Sequence, residues 1–233
     1  MKIVPVTEEL RREASFHALR RAWAEFLLHD PLSNTHWNRL YTERADFQFA
    51  LVDDGRVLAE GNSIPVPEFP PAWRDAFPLG FDGREPVMLC ALSILVDPDL
   101  HGRGLSRVML EHMRSLAVPF GTLVAPVRPT LKERYPLTPI ERYARWRRDD
   151  GFLFDPWLRT HERLGGELLH AAADAMWIEG SVAEWEQWAA MAFPETGDYV
   201  VPGALVPVAI DRGRDVGVYR EPCVWMRHTT KDP

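Results

Sequence analysis

The residues best suited to chemistry lie between Ile94 and Arg107, where an apolar run ends in Asp-Pro and is followed by two glycines and a helical pattern. Gly102 and Gly104 can adopt positive φ and carry no side chain, so successive backbone N–H groups can converge on one point. Those groups would lie at the positive end of the helix dipole. The segment therefore predicts a phosphate or pyrophosphate site, while a purely structural tight turn remains the alternative.

Two common phosphate-binding patterns do not fit this segment. A nucleoside-triphosphate loop requires G-x-x-x-x-G-K-[ST], but the segment has no lysine and a different glycine spacing. A dinucleotide site requires G-x-G-x-x-G, but Arg107 occupies the position of the third glycine. In addition, no acidic residue ends the next predicted strand, where it could bind a ribose. The spacing therefore excludes both nucleotide classes.

A third pattern fits the segment LVDPDLHGRGLSRVMLEHM. It resembles the acetyl-CoA-binding motif of the GNAT N-acetyltransferase superfamily, in which a strand and V-D-P are followed by x-x-[Q/R]-G-x-G-x-[G/A] and a helix. The resemblance implies that the backbone of Ile94, Leu95 and Val96 binds the pantetheine arm and the thioester carbonyl. It also implies that a loop wraps the pyrophosphate. The residues of this loop are His101, Gly102, Arg103, Gly104, Leu105, Ser106 and Arg107.

The chain departs from this family motif at two positions of the loop. His101 stands where Gln or Arg is usual, and Ser106 stands where Gly or Ala is usual. Serine keeps the backbone N–H group, so we expect the loop to tolerate it. The first contact of the loop with the pyrophosphate would be made at position 101, where this chain has a histidine in place of the usual Gln or Arg.

A later segment resembles a second family pattern, Tyr-E-x-L-G-F, in which the tyrosine protonates the departing CoA thiolate. This chain has His-Glu-Arg-Leu-Gly-Gly from residue 161, which places His161 at the tyrosine position and Glu162 beside it. An imidazole with an ordinary pKa of about 6.5 can act as an acid or a relay at neutral pH. The alternative is a surface histidine near a helix C-terminus, where a cation is favoured.

The catalytic base is not evident from the motifs. Aminolysis of a thioester needs a neutral amine, so some group must accept a proton from the ammonium. Family members often carry a glutamate in the strand after the glycine-loop helix, where this chain has Pro126. Glu162 and Glu60 are candidates by position, as are Asp30 and His36 in the loop between the first two helices. A structural role is the alternative for each.

The resemblance also indicates where the acceptor would bind. In relatives the loop that here contains Asp30 and His36 lines the acceptor site. Arg128 and Tyr135 follow the strand after the glycine-loop helix, where the family's acceptor site opens. These four residues are the predicted substrate-binding set. An arginine that only tethers its own proline-rich loop is the alternative for Arg128.

Composition excludes several classes of protein. The 233 residues are 46% apolar and 26% charged, which provides too much core material for wholesale disorder. The net charge is −7 without a basic stripe, which argues against a nucleic-acid partner. Cys90 and Cys223 cannot form a disulfide framework or a structural zinc site. There is no signal-peptide or membrane-spanning pattern, so we expect a cytoplasmic protein. Because the sequence has no Cys/His ligand cluster, we also expect no metal.

The elements that must position the motif follow from hydrophobic spacing. The predicted order is an edge strand at 2–6, a helix from 7 to about 28, a short helix through Tyr41, a hairpin around Asp53-Asp54-Gly55, an irregular loop at 65–86, a buried strand at 87–96, a helix from Gly104 to Leu116, a strand at 122–127, a helix at 155–164, a strand at 175–180, a short helix capped by Ser181 and two late strands. A helix between two buried strands forms a right-handed crossover, so the strands at 87–96 and 122–127 should be parallel.

The pattern predicts one compact α/β unit, and the resemblance implies that its fold is of the GNAT type. The sheet should be mixed and largely antiparallel, with a central parallel pair splayed at the CoA site and helices on both faces. We expect one domain over residues 1–233, with a long insertion at about 128–154 and a C-terminal extension at about 181–233. A chain of this length is more typical of one enlarged domain than of two.

The resemblance implies transfer of acetyl from acetyl-CoA to the amine of a small molecule by direct attack. The expected partners are this acceptor and the acetyl-CoA donor, with neither nucleic acid nor membrane, and a homodimer is left open. Two alternatives remain at this point. The chain could be an acyl-CoA-binding or sensing module with weakened catalysis, or an enzyme of the same fold that uses another acyl thioester.

Overall fold

The computed structural model describes residues 1–230, and all of their named strands belong to one nine-stranded sheet. The strands are β1 (Lys2–Pro5), β2 (Gln48–Asp53), β3 (Arg56–Val66), β4 (Met88–Val96), β5 (Thr122–Val127), β6 (Glu167–Gly180), β7 (Gly197–Tyr199), β8 (Val208–Asp211) and β9 (Val216–Thr229). The order across the sheet is β1-β2-β3-β4-β5-β9-β8-β7, and β6 also pairs with β9. Only β4 and β5 pair in parallel, so the predicted mixed, largely antiparallel sheet is confirmed.

Helices and short 3₁₀ turns connect these strands. The α-helices are α1 (Glu8–Arg11), α2 (Ala14–Ala18), α3 (Pro31–Glu43), α4 (Ala76–Gly80), α5 (Leu105–Leu116), α6 (Ile140–Tyr143), α7 (Pro156–Arg163) and α8 (Val182–Ala189). The 3₁₀ turns span Leu19–Ala22, Glu25–His29, Ala45–Phe47, Trp73–Asp75, Pro98–Leu100, Val118–Phe120 and Lys132–Arg134. No helix in residues 1–230 is long and apolar enough to cross a membrane.

The hairpin between β2 and β3 forms where the sequence predicts it. Asp54 and Gly55 have φ of 46° and 78°, and such positive values at both central residues are typical of a type I′ turn. The hairpin brings β3 next to β4, where Glu60 lies opposite Leu95. This register matters for function because residues directly opposite each other place their side chains on the same face of the sheet.

Helix α5 forms the predicted crossover between β4 and β5. Its buried residues recur at helical spacing on one face, which packs on the sheet; they are Leu105, Met109, Leu110 and Met113. The opposite face of the sheet carries the N-terminal helices and a larger apolar cluster that includes Phe26 and Trp185. The helix thereby fixes where its own N-terminus lies relative to the end of β4.

The N-terminal helix and the late strand at 175–180 differ from prediction. Instead of one helix to about residue 28, the chain forms α1, α2 and two 3₁₀ turns, with Trp23 and Ala24 extended. The break lets Leu19 enter one apolar cluster and Phe26 another, which one straight helix could not do. Strand β6 begins at Glu167, well before the predicted start, because β9 offers a hydrogen-bonding edge along its whole length.

Candidate active site

The parallel pair β4 and β5 diverges soon after it forms. Only two pairs of residues are in register, Leu89 with Leu123 and Cys90 with Val124. Beyond Cys90, β4 continues to Val96 and β5 to Val127 without further pairing between them. The backbone groups that these strands would share are therefore free to bind an extended ligand inserted between them.

The loop after β4 presents unpaired backbone donors. Gly102 and Gly104 have φ of 79° and 77°, values that L side chains rarely adopt, and the space beside each is open. Within residues 1–230, the N–H groups of Gly102 through Ser106 donate to no protein group. The first N–H group of α5 that donates a hydrogen bond is that of Arg107, to the carbonyl oxygen of Gly104. Unpaired N–H groups at a helix N-terminus are suited to an anion, so the anion site stays a prediction that this geometry allows.

Asp97 fixes the position of this loop. The buried Asp97 carboxylate accepts a hydrogen bond from the Asp99 backbone N–H at 3.1 Å. It also binds the guanidinium groups of Arg56 at 2.5 Å and Arg21 at 3.3 Å. The His101 ring nitrogen Nε2 lies 3.2 Å from the carbonyl oxygen of Val96, which ties the other side of the loop to the strand end. The glycines are thus held between two fixed points.

A cavity of about 580 Å³, the first cavity, extends from this loop into the gap between β4 and β5. Most of the residues predicted to bind CoA line it, namely Ile94, Leu95, Val96, His101, Gly102, Gly104, Leu105 and Ser106. The side chains of Arg103 and Arg107 are outside this lining, and Arg107 instead pairs with Glu111 at 2.9 Å. Their predicted contribution is confined to the backbone.

His161 is a buried residue that lines the first cavity. It is 2% exposed, on the last turn of α7, and its Nδ1 lies 2.9 Å from Nε2 of His228 on β9. Its Nε2 has no hydrogen-bond partner among the described residues. Burial, with the nearby His228, holds the pKa of His161 well below its ordinary value. The ring is therefore neutral near pH 7, and in the tautomer with the proton on Nε2 it holds an unpaired, enclosed donor at the wall of the first cavity.

Glu162, the other predicted catalytic residue, takes part in a different set of contacts. Its carboxylate accepts hydrogen bonds from Arg147 at 2.9 Å and from the Leu153 backbone N–H at 2.8 Å. Both partners belong to the long segment after β5. Glu162 does not line the first cavity in the described structure, so its contacts fasten this segment to α7.

The four predicted acceptor-binding residues are dispersed. Arg128 lines the first cavity and pairs with the buried Glu221 of β9. Asp30 is buried and caps α3 by accepting the Ser33 N–H at 2.7 Å. His36 stacks on Phe81 at 5.7 Å between ring centroids. Tyr135 packs edge-on against Trp146 within the segment after β5. Of this set, the structure therefore brings Arg128 alone to the first cavity.

The described residues supply neither a thiolate nor a metal cluster at this site. Cys90 and Cys223 are free and buried, and burial raises the pKa of both thiols. No group of three or more His, Cys, Asp or Glu side chains in residues 1–230 is arranged to hold a metal ion.

Sequence analysis did not identify two residues that lie next to the site. His228 comes from the last strand and faces His161 only because β9 lies next to β5 in the sheet. Trp157 packs edge-on against His161 at 4.5 Å between ring centroids. Its position one helical turn before His161 was the only signal in the sequence that could have indicated this contact.

Comparison with known proteins bears on the family and the fold. No family model matches the chain. The arginine N-acetyltransferase avaD of Aspergillus versicolor is 30% identical over 251 residues, covering 91% of this chain and 87% of that protein. The loading GNATL domain of CurA from Lyngbya majuscula has a TM-score of 0.65 at 17% identity, covering 98% of this chain and 97% of that one. The GphF GNAT-like decarboxylase, solved with isobutyryl-CoA, has a TM-score of 0.63 at 15% identity, covering 99% and 100%. At these low identities the two solved structures show a shared fold.

Proposed function

This chain belongs to the GNAT superfamily of N-acetyltransferases, and we propose that it transfers acetyl from acetyl-CoA to the amine of a small molecule. The observation that carries the proposal is the row of unpaired N–H groups from Gly102 through Ser106 at the first cavity. Unpaired donors at a helix N-terminus suit a pyrophosphate, and the open edges of β4 and β5 suit the amides of a pantetheine arm. The residues present therefore fit the donor.

The proposed reaction is a direct attack by the amine nitrogen on the thioester carbon. The C–N bond forms, the C–S bond breaks and CoA leaves as its thiol. One proton leaves the ammonium before attack, and a second leaves the nitrogen as the amide forms and ends on sulfur. No thiolate is available for a covalent intermediate, so the rate depends on positioning and on backbone donors near the thioester oxygen.

His161 is proposed to assist departure of the sulfur. In the tautomer in which Nδ1 accepts a hydrogen bond from His228, the neutral ring holds an unpaired Nε2–H, which would donate to the sulfur when the thioester is bound. A hydrogen bond to sulfur grows stronger as negative charge develops on it, so it favours the transition state over the bound thioester. This role replaces the tyrosine hydroxyl of the family motif with a buried imidazole.

We propose an amino acid as the acceptor, with arginine as the first compound to test. The support is the name of the 30% identical relative, an arginine N-acetyltransferase. Arg128 is the predicted acceptor-binding residue with direct access to the first cavity. Asp30, His36 and Tyr135 keep their predicted roles as hypotheses, each with a structural contact as the alternative.

A second function remains in competition. The position at which family members often place a glutamate base is Pro126, and this favours a module that binds acyl-CoA without efficient transfer. An enzyme that takes a longer acyl thioester would use the same first cavity.

Release of free thiol distinguishes these functions. Purified protein with acetyl-CoA and a panel of amino acids should liberate CoA thiol and yield the N-acetyl product detected by mass spectrometry. Tight acetyl-CoA binding in calorimetry without thiol release for any amine would contradict the transferase and support the binding module. Faster release from a longer acyl-CoA than from acetyl-CoA would identify the other thioester.

A further inference from the structure

A second cavity of about 540 Å³ lies on the other side of Leu95. It shares Trp23, Leu27 and Leu95 with the first cavity, so the two meet at the end of β4. Indole rings of Trp23, Trp37 and Trp73 form much of its wall, and Glu60 contributes a carboxylate. Its volume is in the range of cavities that hold small organic ligands.

Glu60 holds its carboxylate in a defined orientation. The residue is 4% exposed, and Oε1 accepts hydrogen bonds from the Tyr41 hydroxyl at 2.5 Å and from Asn62 Nδ2 at 3.0 Å. Within residues 1–230, Oε2 accepts no hydrogen bond, and it is not among the fully enclosed unpaired atoms. One oxygen is therefore fixed by the protein, and the other is available to a ligand in the second cavity.

The charges around Glu60 leave it without a close cationic partner. No salt bridge within residues 1–230 includes this carboxylate. The charged or titratable groups that face it are Tyr41 from α3 and the more distant Arg11 from α1, whose guanidinium lies over the Tyr41 ring at 4.1 Å. Burial raises the pKa of Glu60 despite the bonds from Tyr41 and Asn62. A ligand cation would offset the cost of burying this charge.

Glu60 also lies beside the proposed position of the thioester. In the β3–β4 register it is directly opposite Leu95, and such paired residues have Cβ atoms about 5 Å apart on one face. Leu95 belongs to the strand end that the family resemblance assigns to the thioester carbonyl. An ammonium on Glu60 Oε2 would thus lie next to the strand end at which the acyl group is expected.

We propose that the second cavity binds the acceptor as an ammonium on Glu60 and that Glu60 is the catalytic base, an inference that rests on the proposed function. Oε2 takes one proton from the ammonium, which leaves a neutral amine and a carboxylic acid. The amine nitrogen then attacks the thioester carbon, and the remaining surplus proton passes to the sulfur as the C–S bond breaks. Glu60 returns its proton to solvent after the product leaves.

The mouth of the second cavity indicates what else the acceptor carries. Arg11, Arg12 and Arg20 line it, opposed by Glu8, which pairs with Arg12. Arg11 is bonded to the neutral Asn38 side chain, and Arg20 has no ion pair within the described chain. Positive charge at the mouth and negative charge at the floor suit an acceptor with an anionic group at one end and an amine at the other. The predicted class is therefore an amino acid rather than a simple amine.

The first test replaces Glu60 by glutamine, which keeps the shape and the bonds to Oε1. Thiol release from acetyl-CoA is measured with the most active amino acid of the panel between pH 6 and 10. We expect kcat/KM at pH 7 to fall by about 10²-fold, as for loss of a general base. The remaining rate should rise with pH as free amine accumulates, whereas the wild type should reach a plateau. Glu43→Gln, at the exposed end of α3 and outside the second cavity, is the matched control.

Three results separate the possible failures. Glu60→Gln with unchanged kcat/KM and an unchanged pH profile would overturn the assignment of Glu60, while leaving the transferase itself intact. Loss of activity together with weaker acetyl-CoA binding in calorimetry would indicate structural damage and also overturn it. If the wild type acetylates no amine, the proposed function fails, and L-arginine binding followed by tryptophan fluorescence then decides. Equal binding by wild type and Glu60→Gln would overturn the cation site, and weaker binding by the variant would support it.

A second test addresses the acceptor class. L-arginine and agmatine share a guanidinium and a primary amine, but agmatine lacks the carboxylate. We expect kcat/KM to be about tenfold higher for L-arginine, and Arg20→Gln to reduce that preference. Equal use of both compounds by the wild type would overturn the role of the cationic mouth.

Discussion

The two cavities that meet at Leu95 are built from different parts of the chain. In the first, the proposed contacts to the donor come from the backbone, at the edges of β4 and β5 and at the N–H groups of residues 102–106. The second consists of side chains, with indole rings around the Glu60 carboxylate. A backbone site depends on chain conformation, whereas a side-chain site depends on residue identity. The first should therefore tolerate side-chain changes that leave the backbone intact, and the second should not.

The largest effect is expected where the backbone of the first cavity is altered. Gly104→Glu adds a side chain at φ of 77° and places a negative charge beside the proposed pyrophosphate. We expect CoA affinity to fall by about 10²-fold or more, from repulsion and backbone strain. Calorimetry with CoA measures this change.

Gly83→Glu is the control for that substitution. Gly83 has φ of 81°, has open space beside it and lies outside both cavities, so it carries the same strain without the ligand. If a folded Gly104→Glu protein binds CoA as well as the wild type, the assignment of the loop is wrong.

A smaller effect is expected on the rate when His161, the proposed donor to the leaving sulfur, is replaced. His161→Phe preserves a ring in the buried position but removes the Nε2–H donor. We expect kcat to fall by up to about 10²-fold with little change in KM for acetyl-CoA, because the lost bond acts chiefly in the transition state. Steady-state kinetics measure both values. His112→Phe, on the outer part of α5 beside Phe49, is the control, and a fully active His161→Phe enzyme would remove His161 from the mechanism.

His228, which contacts His161 beside the first cavity, and Glu60 of the second cavity should affect stability with opposite dependence on pH. Burial lowers the pKa of His228, which supports His161, to about 4, so the unfolded chain binds more protons as the pH falls from about 6.5. Through this group the protein therefore loses up to about 3 kcal/mol of stability between pH 6.5 and 4. The pKa of Glu60 is raised, so its contribution is fully present below the unfolded pKa and is lost as the pH rises through the folded value.

Urea unfolding at several pH values tests this contrast. His228→Gln should reduce the loss of unfolding free energy on acidification, while Glu60→Gln should reduce the loss on raising the pH from 4 to 8. If both variants changed the pH dependence in the same direction, the contrast between the cavities would be wrong.

The smallest effect is expected from the residue that departs most from the family motif. His101→Gln restores a usual family residue, and its amide can still donate to the Val96 carbonyl that the imidazole now contacts. We expect CoA affinity to change by less than about threefold, because the loop binds through backbone groups. Calorimetry would contradict this by showing a loss above tenfold, which would mean that the imidazole itself contacts the ligand.

The sequence alone predicted the part of the site that is continuous along the chain. The apolar run of β4, the Asp97-Pro98 stop, the two glycines and the single apolar face of α5 are local signals, and the structure confirms the strand, the turn, the helix and the parallel crossover. Each signal follows from the φ preference of glycine or from the spacing of apolar side chains. The hairpin at Asp54-Gly55 was predictable for the same reason.

Tertiary structure decided the contacts between distant segments. His228 meets His161 because β9 inserts beside β5, and Glu60 meets Tyr41 because α3 packs over the hairpin strand. No spacing rule encodes these pairs, since each partner is polar, isolated in its own segment and equally suited to a solvated surface. Local backbone preferences act over a few residues and can be read along the chain. Burial and the pKa shifts that come with it depend on which elements pack together, and only the folded sheet determines that.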